Sequence, residues 1–191
     1  MSSRDRILQS VRQNLPTPTD LPEQAKPVVE DFRDDRADKF AMRLEAIGGL
    51  ARFFSSREEA IAELANLDNA MTVRDFVHHT GIQANDKEPD ITVLEARWAV
   101  AENGAVFISD KEISDRSSLF LGHKLIALVP FHRLVSNMHE AYNRINLASV
   151  GFGIFIAGPS ATADIAQILV RGAHGPAQME VWLYHSDEVI S

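Results

Sequence analysis

Apolar residues fall into two rhythms along this chain: a helical one near the amino terminus, then helical segments alternating with short unbroken runs from residue 35 onward. Over residues 3–15, Ile7, Leu8, Val11 and Leu15 share one face of a helix opened by Ser3. Residues 16–31 carry Pro16, Pro18, Pro22 and Pro27 among polar side chains, which predicts an extended linker. An apolar-faced helix on such a tether has nothing of its own to bury against. It must dock on the main domain, on a second copy or on a partner subunit, and a homodimer is one arrangement that covers it.

Farther along, Phe40, Leu44 and Ile47 mark a helix over 35–47 that Gly48-Gly49 ends, and 51–54 reads as a first strand. Ser56 and Glu59 form a capping box for a helix presenting Ile61, Leu64 and Leu67 on one side. Short strands follow at 71–73 and 91–94, with a polar connection at 83–90, and then at 106–108, 125–129 and 179–184. Residues 136–146 read as a helix capped by Ser136, with Met138, Tyr142 and Ile145 inward. Ile154 to Ala157 is apolar without alternation, as in a strand covered on both faces in a parallel or mixed sheet sandwiched by helices. This alternation predicts an α/β domain with a mostly parallel sheet over 32–191, preceded by the helix and linker of 1–31.

With 191 residues, 45% hydrophobic and 24% charged, one core is expected. No apolar run approaches the roughly 18 residues of a membrane span, and the first twenty residues lack a signal-peptide core, so a cytoplasmic protein is expected. The absence of cysteine excludes disulfides, thiolate catalysis and cysteine-held clusters within this sequence. A net charge of -8 without a Lys/Arg stripe argues against a nucleic-acid surface.

The densest chemistry lies between residues 153 and 176. Gly158-Pro159 stops the strand, Ser160 and Thr162 are candidate N-caps, and Asp164 favours the positive end of a helix carrying Ile165, Ile168 and Leu169. Gly172 is placed to end that helix, and His174-Gly175-Pro176 forms a second elbow. A strand, a turn and a helix N-terminus in this order suit a ligand at the carboxyl end of a strand. A lone glycine and the charge of Asp164 make a bare phosphate a poor fit there. Ser160, Thr162 and Asp164 alternatively serve only as caps. His174 is an acid, base or ligand candidate, or a partner for the last carbonyls of the helix.

Asn103-Gly104 is a type I' hairpin signal that puts Glu102 at a turn, as a general base, a nucleophile or a solvated carboxylate. Arg116, followed by Ser117 and Ser118, could fork onto a carboxylate or simply form a loop. The seven histidines show no metal-binding spacing. A metal site would have to gather distant residues such as Glu102, Asp164 and His174, and none is expected. No Walker loop, dinucleotide fingerprint or serine elbow is present.

Gly158-Pro-Ser-Ala-Thr-Ala-Asp-Ile165 followed by Gly172-Ala-His-Gly-Pro176 resembles the signature of the LUD domain family. Ala101-Glu-Asn-Gly-Ala-Val106 is similar to the family's Ala-Glu-Thr-Gly-Thr type segment, with Asn103 and Ala105 where hydroxyl residues are expected, and the first twelve residues resemble its leading helix. The resemblance implies a three-layer α/β sandwich of the sugar-phosphate isomerase and CoA-transferase class (NagB/RpiA/CoA-transferase-like). It also implies an accessory role in lactate utilization, the oxidation of L-lactate to pyruvate beside partner subunits that carry iron-sulfur clusters, with no cofactor in this chain. Ligand or partner binding is then expected at Gly158, Ser160, Thr162 and Gly175, with Gly104 and Arg116 nearby. The alternative is a self-sufficient enzyme acting on a small carboxylate, thioester or sugar phosphate, in which Glu102, Asp164 and His174 converge on one pocket. A third outcome leaves those three scattered, each serving its own turn or cap.

Overall fold

The computed structural model describes residues 2–16, 35–67, 73–74, 91–113, 115–162, 170–172 and 174–186. The expected linker, the connection at 83–90 and Asp164 lie outside these residues.

Helix α1, Ser3–Gln13, is opened one residue earlier than the sequence suggests: Ser2 accepts from the Asp5 amide while the Asp5 carboxylate accepts from Ser2. None of its residues is buried; Ile7 and Val11 are more than half exposed, as is Leu15 just beyond it. Helix α2, Arg36–Ala46, buries Phe40 and Leu44 and leads through Gly48, at positive φ, into β1, Leu50–Phe54. Helix α3, Arg57–Ala65, is capped by Ser56, which accepts from the Glu59 amide. The Glu59 carboxylate accepts from Ser55 rather than from the cap itself.

Strands β2 (Val73–Arg74), β3 (Ile91–Glu95), β6 (Lys124–Pro130) and β11 (Gln178–Tyr184) join β1 in a parallel sheet of order β1-β11-β6-β3-β2. The central strands read as nearly continuous apolar runs because both faces are covered. Leu125, Ala127 and Val129 of β6, with Met179, Val181 and Leu183 of β11, face one cluster; Ile126, Leu128, Trp182 and Tyr184 face a second, which contains Ala60 and Leu64 of α3.

The first cluster is closed by α2 and by a second sheet of order β7-β4-β5-β8, formed by β4 (Trp98–Val100), β5 (Ala105–Ser109), β7 (Leu134–Val135) and β8 (Gly153–Ala157). Its outer face packs on α5, Met138–Arg144, while α4, Ser118–Leu121, precedes β6. The layers are thus helix, parallel sheet and a mixed layer of helix and smaller sheet.

Three expectations change. Residues 154–157 are not covered on both faces: β8 is an edge strand of the second, mixed sheet, antiparallel to β5 and only half-buried, because one flank has no neighbouring strand among the described residues. The helix expected around Ile165, Ile168 and Leu169 lies outside the described residues, but it does not run on to Gly172: β10, Val170–Arg171, pairs antiparallel with β9, Ala161–Thr162, and Gly172 takes a left-handed conformation. Helix α5 starts at Met138 under Asn137, whose side chain accepts from the Glu140 amide, and Tyr142 is 51% exposed rather than inward. Asn137 outcompetes Ser136 because it sits one residue before the helix with its oxygen three residues from the free amide.

Candidate functional site

The carboxyl ends of β1, β3, β6 and β11 open into a cleft of about 670 Å³, lined by Ser55 and Arg57 from the β1–α3 junction, Glu95, Arg133, Tyr184 and His185 among others. Parallel strands deliver their ends to one side of the molecule, and the loops leaving them there are free to hold a ligand. Arg57 enters from the first turn of α3 and donates through Nε (2.9 Å) and Nη2 to Glu95 Oε1. Burial works against the guanidinium's charge, but Glu95 more than offsets it and holds the arginine above its ordinary value. Tyr184 lies beside Arg57; burial, reinforced by the Glu95 carboxylate, pushes its phenol above 10.0 despite the two nearby arginines. It is therefore a neutral donor at ordinary pH. The His185 ring stacks on Phe131, with centroids 4.4 Å apart.

The two elbows singled out in the sequence lie at the opposite, amino end of the same sheet, just before β11 and β6. Ser160 N donates to Pro176 O (2.8 Å), Gly172 N donates to Ser160 O (3.0 Å), and Ala177 N donates to His123 O (2.9 Å) beside the start of β6. A Cβ added at Gly175 would sit 3.1 Å from Ser160 Cβ, so the Gly158-Pro-Ser and His-Gly-Pro segments are pressed together. His174 is exposed on this surface, and Thr162 is half-buried in β9.

The turn Ala101–Gly104 reaches the same neighbourhood. Val100 pairs with Ala105, so the hairpin connection has four residues rather than the two of a type I' turn, with the Asn103 side chain accepting from the Ala105 amide. Gly104 and Gly158, both at positive φ, rest on the last turn of α2: their Cβ positions fall 2.8 Å from Leu44 N and 2.9 Å from Ile47 Cγ1. The Glu102 carboxylate, however, accepts from Met138 N (2.9 Å) at the start of α5 and has no described contact with Ser160 or His174. Arg116 stands apart as well, with its guanidinium 4.7 Å from the ring of Phe152, just before β8, whereas Gly158 follows that strand. Among the described residues, no group of three His, Cys, Asp or Glu side chains could hold a metal ion.

Gly104, Gly158, Ser160, Thr162, His174 and Gly175 therefore gather at one end of the domain, while the cleft with Arg57, Glu95, Arg133 and Tyr184 occupies the other. The cleft residues were passed over in the sequence because each looks like an ordinary boundary residue. Their signal is positional: Glu95 and Tyr184 end apolar runs that become the parallel strands flanking β6 on either side, and Arg133 follows the end of β6 itself.

Residues 79–184, more than half of the chain, match the LUD domain. This chain belongs to the LUD domain family. Glu95, Arg133, Tyr184 and both elbows of the LUD match fall within it; Arg57 precedes it. Similar proteins include lactate utilization protein C of Halalkalibacterium halodurans, 34% identical over 96 residues that cover 47% of this chain and 42% of that protein. The protein of the same name in Anoxybacillus flavithermus is 38% identical over 80 residues, 41% and 36% of the two chains. The chain thus spans less than half the length of these relatives. A DUF162 family protein from Deinococcus radiodurans shares the fold, with a TM-score of 0.53 and 16% identity over 80% of this LUD chain and 98% of that structure. No helix among the described residues is long and apolar enough to cross a membrane.

Proposed function

We propose that this LUD protein is an accessory component of lactate utilization, working beside partner subunits whose iron-sulfur clusters carry the electrons of L-lactate oxidation to pyruvate. The observation that carries this reading is the family match, together with relatives named lactate utilization protein C. A chain without cysteine needs such partners, because cluster ligation depends on thiolates. The amino-end surface formed by Gly158, Ser160, Thr162, His174 and Gly175 is the partner contact in this reading, and the cleft at the carboxyl end is the ligand site. The test is capture of the tagged chain from its own host, followed by lactate-dependent dye reduction in the eluate. Activity should co-purify with the wild type and be lost in His174→Glu, which alters an exposed side chain, while the melting temperature of the chain is unchanged.

A second reading is favoured by the cleft itself, since chemistry in sheets of this kind gathers at strand carboxyl ends. Here the chain alone acts on a small carboxylate, thioester or sugar phosphate. The sequence assigns its catalysis to Glu102, Asp164 and His174. Turnover by the isolated chain that survives both Asp164→Ala and His174→Ala would reject that trio and leave the cleft as the catalytic centre.

A further inference from the structure

The carboxyl-end cleft is large for the three-carbon acid in its relatives' name. A hydroxy acid of that size displaces roughly three or four waters, on the order of 100 Å³ at about 30 Å³ per water. The cleft offers about 670 Å³, in the range of pockets that enclose ligands several times larger.

Its walls also carry three unspent functions. Arg133 has no carboxylate partner among the described residues. Glu95 receives both Arg57 bonds on Oε1, which leaves Oε2 to accept from a hydroxyl. The Tyr184 phenol lies beside Arg57, which can only donate, so its own O–H remains to donate. Arg133 and Glu95 line one cleft yet form no ion pair, so one ligand can place an anion on the first and a hydroxyl on the second without displacing a bridge between them. Of the serines in the lining, Ser55 and Ser56 are engaged by Glu59 at the start of α3 and Ser186 by His132 Nδ1, so ligand recognition falls to Arg133, Glu95 and Tyr184. In an open, wet cleft a phosphate dianion gains more from an unpaired guanidinium than a carboxylate does.

We propose that this cleft binds a phosphorylated polyol, with its phosphate on Arg133 and its hydroxyls on Glu95 Oε2 and the Tyr184 O–H. The inference rests on the reading of the cleft as the ligand site. It does not require that lactate enter this chain.

The test is titration calorimetry on the full chain with ribose 5-phosphate and with AMP, and with ribose and lactate as controls. At least one phosphate ester should bind at least tenfold more tightly than either control. Arg133→Ala should weaken that binding at least tenfold, and Tyr184→Phe, which keeps the buried ring, should weaken it severalfold. Tighter binding of ribose 5-phosphate identifies a sugar phosphate, and tighter binding of AMP a nucleotide. Absence of binding by both esters, equal affinity for lactate, or full affinity in both variants would overturn the proposal. Lactate-dependent dye reduction by the captured complex reads the accessory role separately, so failure of one is distinguishable from failure of the other.

Discussion

Replacing Gly104 by alanine separates packing from ligand binding at the hairpin turn that carries Glu102. Gly104 has φ +70°, where an L-residue is strained by roughly 1–2 kcal/mol. The added Cβ would also lie 2.8 Å from Leu44 N and 2.9 Å from Leu44 Cα, which are backbone atoms of a packed helix and cannot swing aside like a side-chain tip. Forcing such a contact apart costs about 1–3 kcal/mol more. The sum, about 2–5 kcal/mol, corresponds to a fall in melting temperature on the order of 10 °C for a domain of this length. Asn103→Ala in the same turn removes only the bond to the Ala105 amide and should cost about 1 kcal/mol. Thermal unfolding followed by circular dichroism, with urea titration alongside, measures both. A Gly104→Ala protein melting within a degree of the wild type would refute the claim that this glycine exists to let the turn approach α2.

Two further outcomes follow from the core and from the charges. Leu44, fully buried where α2 meets both Gly49 and Gly104, should cost about 2–5 kcal/mol on truncation to alanine, measured by urea unfolding. For Glu140, burial would raise the carboxyl, but the Ser136 amide and Arg144 outweigh it and hold the group below its ordinary 4.5. Between those two values the unfolded chain binds a proton that the folded chain refuses, so this contribution is complete above pH 4.5 and is lost as pH falls through the folded value. Glu140→Gln should therefore flatten the acid limb of the stability profile in that window, and an unchanged slope would contradict the assignment.

Much of this architecture was legible in the pattern of residues, because unbroken apolar runs such as Leu125 to Val129 have few ways to be buried other than in a two-sided sheet. The same rule misplaced Ile154 to Ala157. An edge strand packed on one side by Phe107 and Tyr142 presents as apolar a face as a central one, and strand composition does not say which sheet it joins. The turn after it was legible as a turn, yet the partner of Thr162 is Val170, a pairing across residues that helical spacing had claimed. Of the candidate site, the meeting of the Ser160 and His174 elbows was readable as two adjacent polar loops. The cleft was not, since Arg57, Glu95 and Tyr184 come from three distant stretches that only the order of parallel strands brings together.

The most direct measurement is lactate-dependent dye reduction by the purified LUD chain alone and by the complex that the tagged chain captures from its host. The accessory role predicts no reduction by the lone chain and robust reduction by the captured complex. Turnover of lactate by the isolated chain, or a captured complex inert toward lactate, would contradict it.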